Sequence, residues 1–201
     1  MSRYTGPKIK ISRRLGNLPG LTRKISKKIS PAGEHGQQLK KQSEYALRLK
    51  EKQKLKFNYG LNEKQLLNNI KIAKKIKGPT GIILLQMLEM RLDNIIFRFG
   101  LAPTIPASRQ LVNHKHIIVN NEILSICSYQ CRPGDTIKIK QKTSSINLIK
   151  NFIKSSKFNN IPNHLELQKN KLIAKVNNII ERDCVSLQVN ELLIVEYYSN
   201  K

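Results

Sequence analysis

The chain has 201 residues, 37 of them Lys or Arg against 13 Asp or Glu, for a formal net charge of +24. That length allows one or two small domains with real cores. So large a cationic excess calls for a polyanion, nucleic acid first and an anionic membrane surface second. No apolar run reaches membrane-spanning length, since the longest, Ile82 to Leu88, stops at Glu89. The first residues carry no apolar signal core. Three cysteines, an odd number, point to a reducing compartment. The abundance of Lys over Arg, with much Ile and Asn, fits an AT-rich genome such as an organelle's.

Residues 1–42 are basic and rich in Gly, Pro and Ser, with paired positive spots at Arg13-Arg14, Arg23-Lys24, Lys27-Lys28 and Lys40-Lys41. Such a segment is either a disordered basic tail or an arm that orders against RNA. Ser43 is placed to cap a helix running to Tyr59 and ended by Gly60. Its Lys50, Lys52, Lys54 and Lys56 are read as a basic face that contacts phosphates. Asn62 and Gln65 have capping-box spacing, and Leu66, Ile70 and Ala73 mark the apolar face of a second helix. Gly78-Pro79-Thr80-Gly81 breaks the chain before the buried run Ile82–Leu88.

The stretch from Arg91 to Lys140 organises the rest. Leu88, Leu92, Ile95, Ile96 and Phe99 recur at helical period and predict one helix, stopped at Gly100. Arg91, Asn94 and Arg98 lie off its apolar face and share a side. Thr104 and Pro106 open a second helix carrying Ser108, Arg109 and Gln110, with Leu111 and Val112 for burial. Asn113, His114, Lys115 and His116 leave it. Ile117–Val119 and Ile123-Leu124 are strands joined at Asn120-Asn121, and Thr136–Lys140 alternates as a half-solvated strand. A helix is expected from about Ser145 to Lys157, and short strands at 165–167, 187–189 and 193–195, with Asn190-Glu191 at a turn or helix start.

The chemistry-bearing residues do not assemble into a reaction centre. Cys127 and Cys131 are too widely spaced for a zinc ribbon, and Cys184 supplies no second pair. They read as core or half-buried thiols. His114 and His116 lack a third ligand nearby. Glu89 and Asp93 read as helix-surface residues or as ion-pair partners of a neighbouring Arg rather than as an acid–base pair, and Ser108 has no recognisable His/Asp relay. No Walker or Rossmann loop is present.

Arg91-Leu92-Asp93-Asn94, Ala107-Ser108-Arg109-Gln110-Leu111-Val112, the His116–Asn120 strand and Ser128-Tyr129…Pro133-Gly134-Asp135 resemble the small RNA-binding domain of the ribosomal protein S-four family. The likeness continues outside it, through Met1–Lys8, Glu51–Lys54, Lys77–Gly81 and Val195–Ser199, and is nearest to the plastid version. It implies an α+β fold: a basic arm (1–42), a helical N-terminal domain (43–90) closed by the C-terminal segment (165–201, with 155–201 packing back), and an inserted small α/β RNA-binding domain of the S-four type (91–154).

The resemblance also implies a function. The chain would be a structural constituent of the small (30S) ribosomal subunit, binding 16S rRNA at a helix junction in the 5′ domain. It would nucleate assembly of the subunit body and support translational accuracy beside proteins S-five and S-twelve, in the plastid stroma. No cofactor, metal, membrane or small-molecule substrate is implied. Some bacterial relatives hold zinc with cysteines in the arm, which here has none. The residues expected at the RNA are Arg3, Lys8, Arg13, Arg14, Lys50, Lys52, Lys54, Lys56, Arg91, Asn94, Arg98, Ser108, Arg109, Gln110, Asn113, His114, Lys115 and His116. The same small domain accompanies pseudouridine synthases and some tRNA synthetases. About sixty residues follow Lys140, too few for such a catalytic core, so an enzyme is not expected. A free-standing RNA chaperone or a translational regulator binding mRNA is the alternative.

Overall fold

The computed structural model describes residues 4–28, 30–37, 41–155, 161–168 and 173–199; Arg3 lies outside them. The chain divides into two units, Met1–Leu85 with Ser186–Lys201, and Gln86–Val185.

The first unit is helical. The arm contains a helix, α1 (Lys8–Leu15), which buries Ile11 and Leu15 and is followed by buried Leu18 and Leu21. Ile11, Leu15 and Leu18 already recur at helical spacing, so burial of this stripe orders a segment whose composition reads as a tail. The Gly20 N–H donates to Asn58 Oδ1 at 2.9 Å and fastens the arm to α2 (Glu44–Asn58). Ser43 Oγ caps α2 by accepting from Ala46 N, and Gly60 adopts φ 59° just beyond it. At α3 (Glu63–Lys75) the capping box forms in both directions: Gln65 N donates to Asn62 Oδ1 at 2.7 Å, and Asn62 N to Gln65 Oε1 at 3.2 Å.

The Gly78–Gly81 break is shorter than expected, because α4 (Thr80–Glu89) already starts at Thr80. Gly81 sits inside α4, where an added Cβ would lie 2.7 Å from Glu191 Cβ, so close approach of chain explains the glycine. Residues 193–195, expected as a strand, belong to α8 (Glu191–Ser199). Asn190 Oδ1 accepts from Leu192 N at its start, and Ile194, Tyr197 and Tyr198 are buried at i, i+3 and i+4. Packing against α2, with Arg48 bonded to Glu196, overrides the β preference of Leu-Ile-Val. Residues 187–189 form no strand.

The second unit holds the sheet. Its strands β1 (Ile117–Val119), β2 (Glu122–Ile123), β3 (Thr136–Ile139), β4 (Leu165–Gln168) and β5 (Ile173–Val176) are ordered β2-β1-β3-β5-β4, all neighbours antiparallel. Asn120 and Asn121 make the β1–β2 turn at φ 49° and 71°. The helix expected near 145–157 is α7 (Thr143–Ser155).

The single helix expected across Leu88–Phe99 is two. Arg91 is extended (φ −71°, ψ 140°), and α5 runs only from Leu92 to Arg98, with Gly100 at φ 73° after it. The segment 127–131 crosses the break like a strand: Cys131 N donates to Met90 O and Leu92 N to Tyr129 O, both at 2.9 Å. Those bonds satisfy backbone groups that a continuous helix would have paired internally. α6 (Ile105–Asn113) then begins with Thr104 Oγ1 accepting from Ala107 N. Leu92, Ile95, Ile96, Leu111, Val112, Ile117 and Ile137 share one core. The C-terminal boundary also moves. β4 and β5 complete the sheet, so only Ser186–Lys201 joins the helical unit, not all of 165–201. β5 is placed by its neighbours, with β3 on one side and β4 on the other fixing its register, and those pairings are not local in the sequence.

Candidate nucleic-acid interface

α6 ends in a way that determines what the surface displays. Lys115 N donates to Val112 O at 2.9 Å and His116 N to Leu111 O at 3.1 Å, the paired bonds of a Schellman cap. Lys115 takes the left-handed position, φ 59°, that glycine fills most easily. Gln110, Asn113, His114 and Lys115 are exposed on this end, and His116 is half-buried. The His114 and His116 rings lie 6.0 Å apart, and His116 Nδ1 is 2.9 Å from Ser145 Oγ on α7. Burial, then the charges of His114, Lys140 and Lys142, push the His116 pKa down. Lys140 and Lys142 were missed in the sequence reading. Their signal was the continued Lys alternation beyond β3, and Lys140 N in fact donates to His116 O. His114, His116, Lys140 and Lys142 thus lie near one another where α6 passes into β1, beside the exposed Lys115.

Below this surface lies a second layer of charge, and it is internal. Asp93, 1% exposed, accepts on Oδ1 from Arg91 Nε at 3.2 Å and Asn94 N at 2.9 Å. Its Oδ2 accepts from Arg91 Nη2 at 3.1 Å and Arg109 Nε at 2.8 Å. Glu89 accepts from Asn94 Nδ2 at 2.6 Å and from Arg98 Nε and Nη2 at 3.0 and 3.1 Å. Arg91 and Asn94 are buried, and Arg98 is mostly so. They therefore do not present the open polar face expected of them. A buried carboxylate left alone would be costly, and these cations neutralise two of them. Ser108 is also fully buried, its Oγ donating to Thr104 O, so it serves the helix rather than a surface. Arg109 reaches both layers, with its Nε on Asp93 and its side chain 23% exposed.

The thiols agree with the sequence reading. Cys131 is buried and its pKa is pushed up to about 12, first by burial and then by Asp135 and Asp93. Half-buried Cys127 donates to Asn113 Oδ1 at 3.0 Å, and burial raises its pKa too. No group of three potential metal ligands occurs among the described residues.

In the helical unit the lysines of α2 divide in two. Lys52 is buried, its Nζ 2.9 Å from Glu63 Oε1 and 4.8 Å above the Tyr197 ring. Lys56 also pairs with Glu63, and Lys54 with Glu51. The single basic face expected here is corrected: residues two apart on a helix do not share a side. Lys50 is half-buried, as is Lys8, while Arg14 is exposed. Arg13 donates to the carbonyls of Ser30 and Pro31 and so folds the arm on itself.

Two family models match the chain, "Ribosomal protein S4/S9 N-terminal domain" over residues 3–89 and "S4 domain" over residues 90–137. The boundary at residue 90 coincides with the break between α4 and α5. Small ribosomal subunit protein uS4c of Gracilaria tenuistipitata var. liui is 68% identical over the full length of both chains. The chain belongs to the uS4 family. Small ribosomal subunit protein uS4c of Porphyra purpurea is 61% identical, and uS4 of Nostoc sp. 59%, each again over the whole of both chains. Family members are structural ribosomal proteins, and the α+β arrangement of a helical N-terminal part with a small antiparallel sheet matches the two models in order.

Proposed function

We propose that this protein is a structural constituent of the small ribosomal subunit that binds 16S rRNA directly and catalyses nothing. The observation that carries this is the turn from α6 into β1, where His114, His116, Lys140 and Lys142 converge beside exposed Gln110, Asn113 and Lys115. Cations there neutralise closely packed phosphates, and the amides and imidazoles add shape-dependent hydrogen bonds. Exposed cations of the arm, Arg14 among them, extend the contact. The proposal includes a helix junction of the 5′ domain as target, nucleation of the subunit body, and support of accurate decoding beside proteins S-five and S-twelve. The relatives named uS4c support a plastid ribosome, which would work in the stroma.

Crosslinking of the purified protein to total organelle RNA, followed by sequencing of the bound fragments, tests the proposal. Reads should concentrate at one small-subunit rRNA junction. Reads dominated by messenger RNA would instead support a translational regulator.

A further inference from the structure

We infer that Asp93 is a positioning residue for RNA recognition: it fixes the guanidinium of Arg109 in the orientation that meets folded rRNA. The inference rests on the proposed rRNA role and deepens it. Asp93 lies on α5 and Arg109 on α6, sixteen residues later, so only the packing of the two helices joins them. Four donors meet the carboxylate: two from Arg91, one from Arg109 and one from the Asn94 backbone.

Arg91 is inside, with a side chain 7% exposed, whereas that of Arg109 is 23% exposed. Of the two, Arg109 is the one whose side chain reaches the surface. A guanidinium held by its Nε gives up little rotamer freedom on binding, and its planar fork is already aimed. The helix bearing it is fastened a second time. The Cys127 thiol donates to Asn113 Oδ1, one turn along α6, and Cys127 O accepts from Asp93 N at 3.3 Å. Asp93 thus ties α5 to α6 through its side chain and to the 127–131 segment through its backbone.

Charge and position predict opposite results for Asp93→Asn. Removing an anion makes the protein one unit more positive, so a charge-only surface would bind every RNA more tightly. The positioning role predicts weaker binding to transcribed small-subunit rRNA by about tenfold, the effect of losing one charged hydrogen bond. Binding to poly-uridine of equal length should stay the same or tighten. Arg109→Lys keeps the charge and removes the fork, and should show the same selective loss with the salt slope unchanged. In the double variant the losses should not add, because both substitutions disable one contact.

Full-length wild type and the three variants are titrated against both RNAs, with thermal melts as a check on folding. Losses that add, or an Asp93→Asn protein that binds the rRNA as tightly as wild type, overturn the inference. If Asp93→Asn does not fold, Arg109→Lys decides, and wild-type selectivity in that variant is equally fatal. A wild-type protein that does not prefer the rRNA at all overturns the proposed function instead, so the two failures are distinguishable.

Discussion

The lysines of α2 and the basic turn after α6 look alike as text and differ as chemistry. Lys52, Lys54 and Lys56 are each met by a glutamate from their own unit. At the α6–β1 turn, burial and then the charges of His114, Lys140 and Lys142 instead depress the His116 pKa. A run of cations with internal counterions stabilises the fold, while a cluster with no ion-pair partner among the described residues is poised for an external anion. Counting charges along the chain does not separate the two; the position of 13 acidic residues does.

The largest effect expected is of salt on rRNA binding. The logarithm of the affinity should fall linearly with that of salt concentration, by roughly 0.7–0.9 per phosphate contact. A nearly flat plot from binding titrations would remove the α6–β1 turn's side of the comparison. Next comes Glu89→Ala. It strands Arg98 and Asn94 inside the domain, so stability should drop by about 3–5 kcal/mol in denaturant unfolding. An unaffected midpoint would mean that Arg98 and Asn94 do not depend on Glu89.

Lys52→Ala should cost about 1 kcal/mol of stability, a value kept small because Glu63 is 44% exposed, and should leave the rRNA salt slope unchanged. A reduced slope with normal stability would restore Lys52 to the RNA surface. The pKa of Glu63 is a further check on the same pair. Burial alone would raise it, but the bonds from Tyr198 and Lys52, with the charges of Lys52 and Lys56, bring it below its ordinary value. Its contribution is therefore present above the unfolded-state pKa and lost as pH falls through the folded one.

Lys115→Gly should move two quantities in opposite directions. Relief of the left-handed conformation should stabilise the domain by about 1 kcal/mol, while loss of an exposed cation weakens rRNA binding. Unchanged binding in a stabilised variant would show that this side chain is not used.

The smallest effect concerns pH. The folded pKa of His116 is below its unfolded value, so its contribution to stability is present above the unfolded pKa and shrinks as pH falls. Phosphate against His114, His116, Lys140 and Lys142 reverses the repulsion, so bound RNA draws a proton onto His116. Affinity should rise a few-fold between about pH 7.5 and about pH 6. Titrations of His116→Gln should lack most of that rise; a parallel pH dependence would assign it elsewhere.

Local signals were legible where they rest on one residue's backbone needs. Ser43, the Asn62–Gln65 box, Thr104, Gly100 and the Asn120-Asn121 turn all fall where their side-chain chemistry places them. Longer patterns failed where a distant segment intervened. The periodicity from Leu88 to Phe99 is genuine on both sides of Arg91, but 131 and 129 take the backbone bonds that would have joined the halves. Leu193-Ile194-Val195 carries strand propensity and is helical because α2 buries it.

The candidate site divides in the same manner. Gln110, Asn113, His114 and Lys115 are displayed as expected from a helix end followed by a polar turn. Arg91, Asn94, Arg98, Ser108 and Lys52 are not, because whether a cation points outward depends on where carboxylates from other turns and helices come to rest.

By itself the sequence determined that the partner is a polyanion, and the family, since a net charge of +24 and end-to-end motifs survive without coordinates. It also determined the caps, whose bonds span three or four residues. Only the tertiary structure decided which of its cations remain for RNA. The reason is the short reach of an ion pair: Arg109 and Asp93 are sixteen residues apart in the chain and 2.8 Å apart in space, and no periodicity encodes that distance.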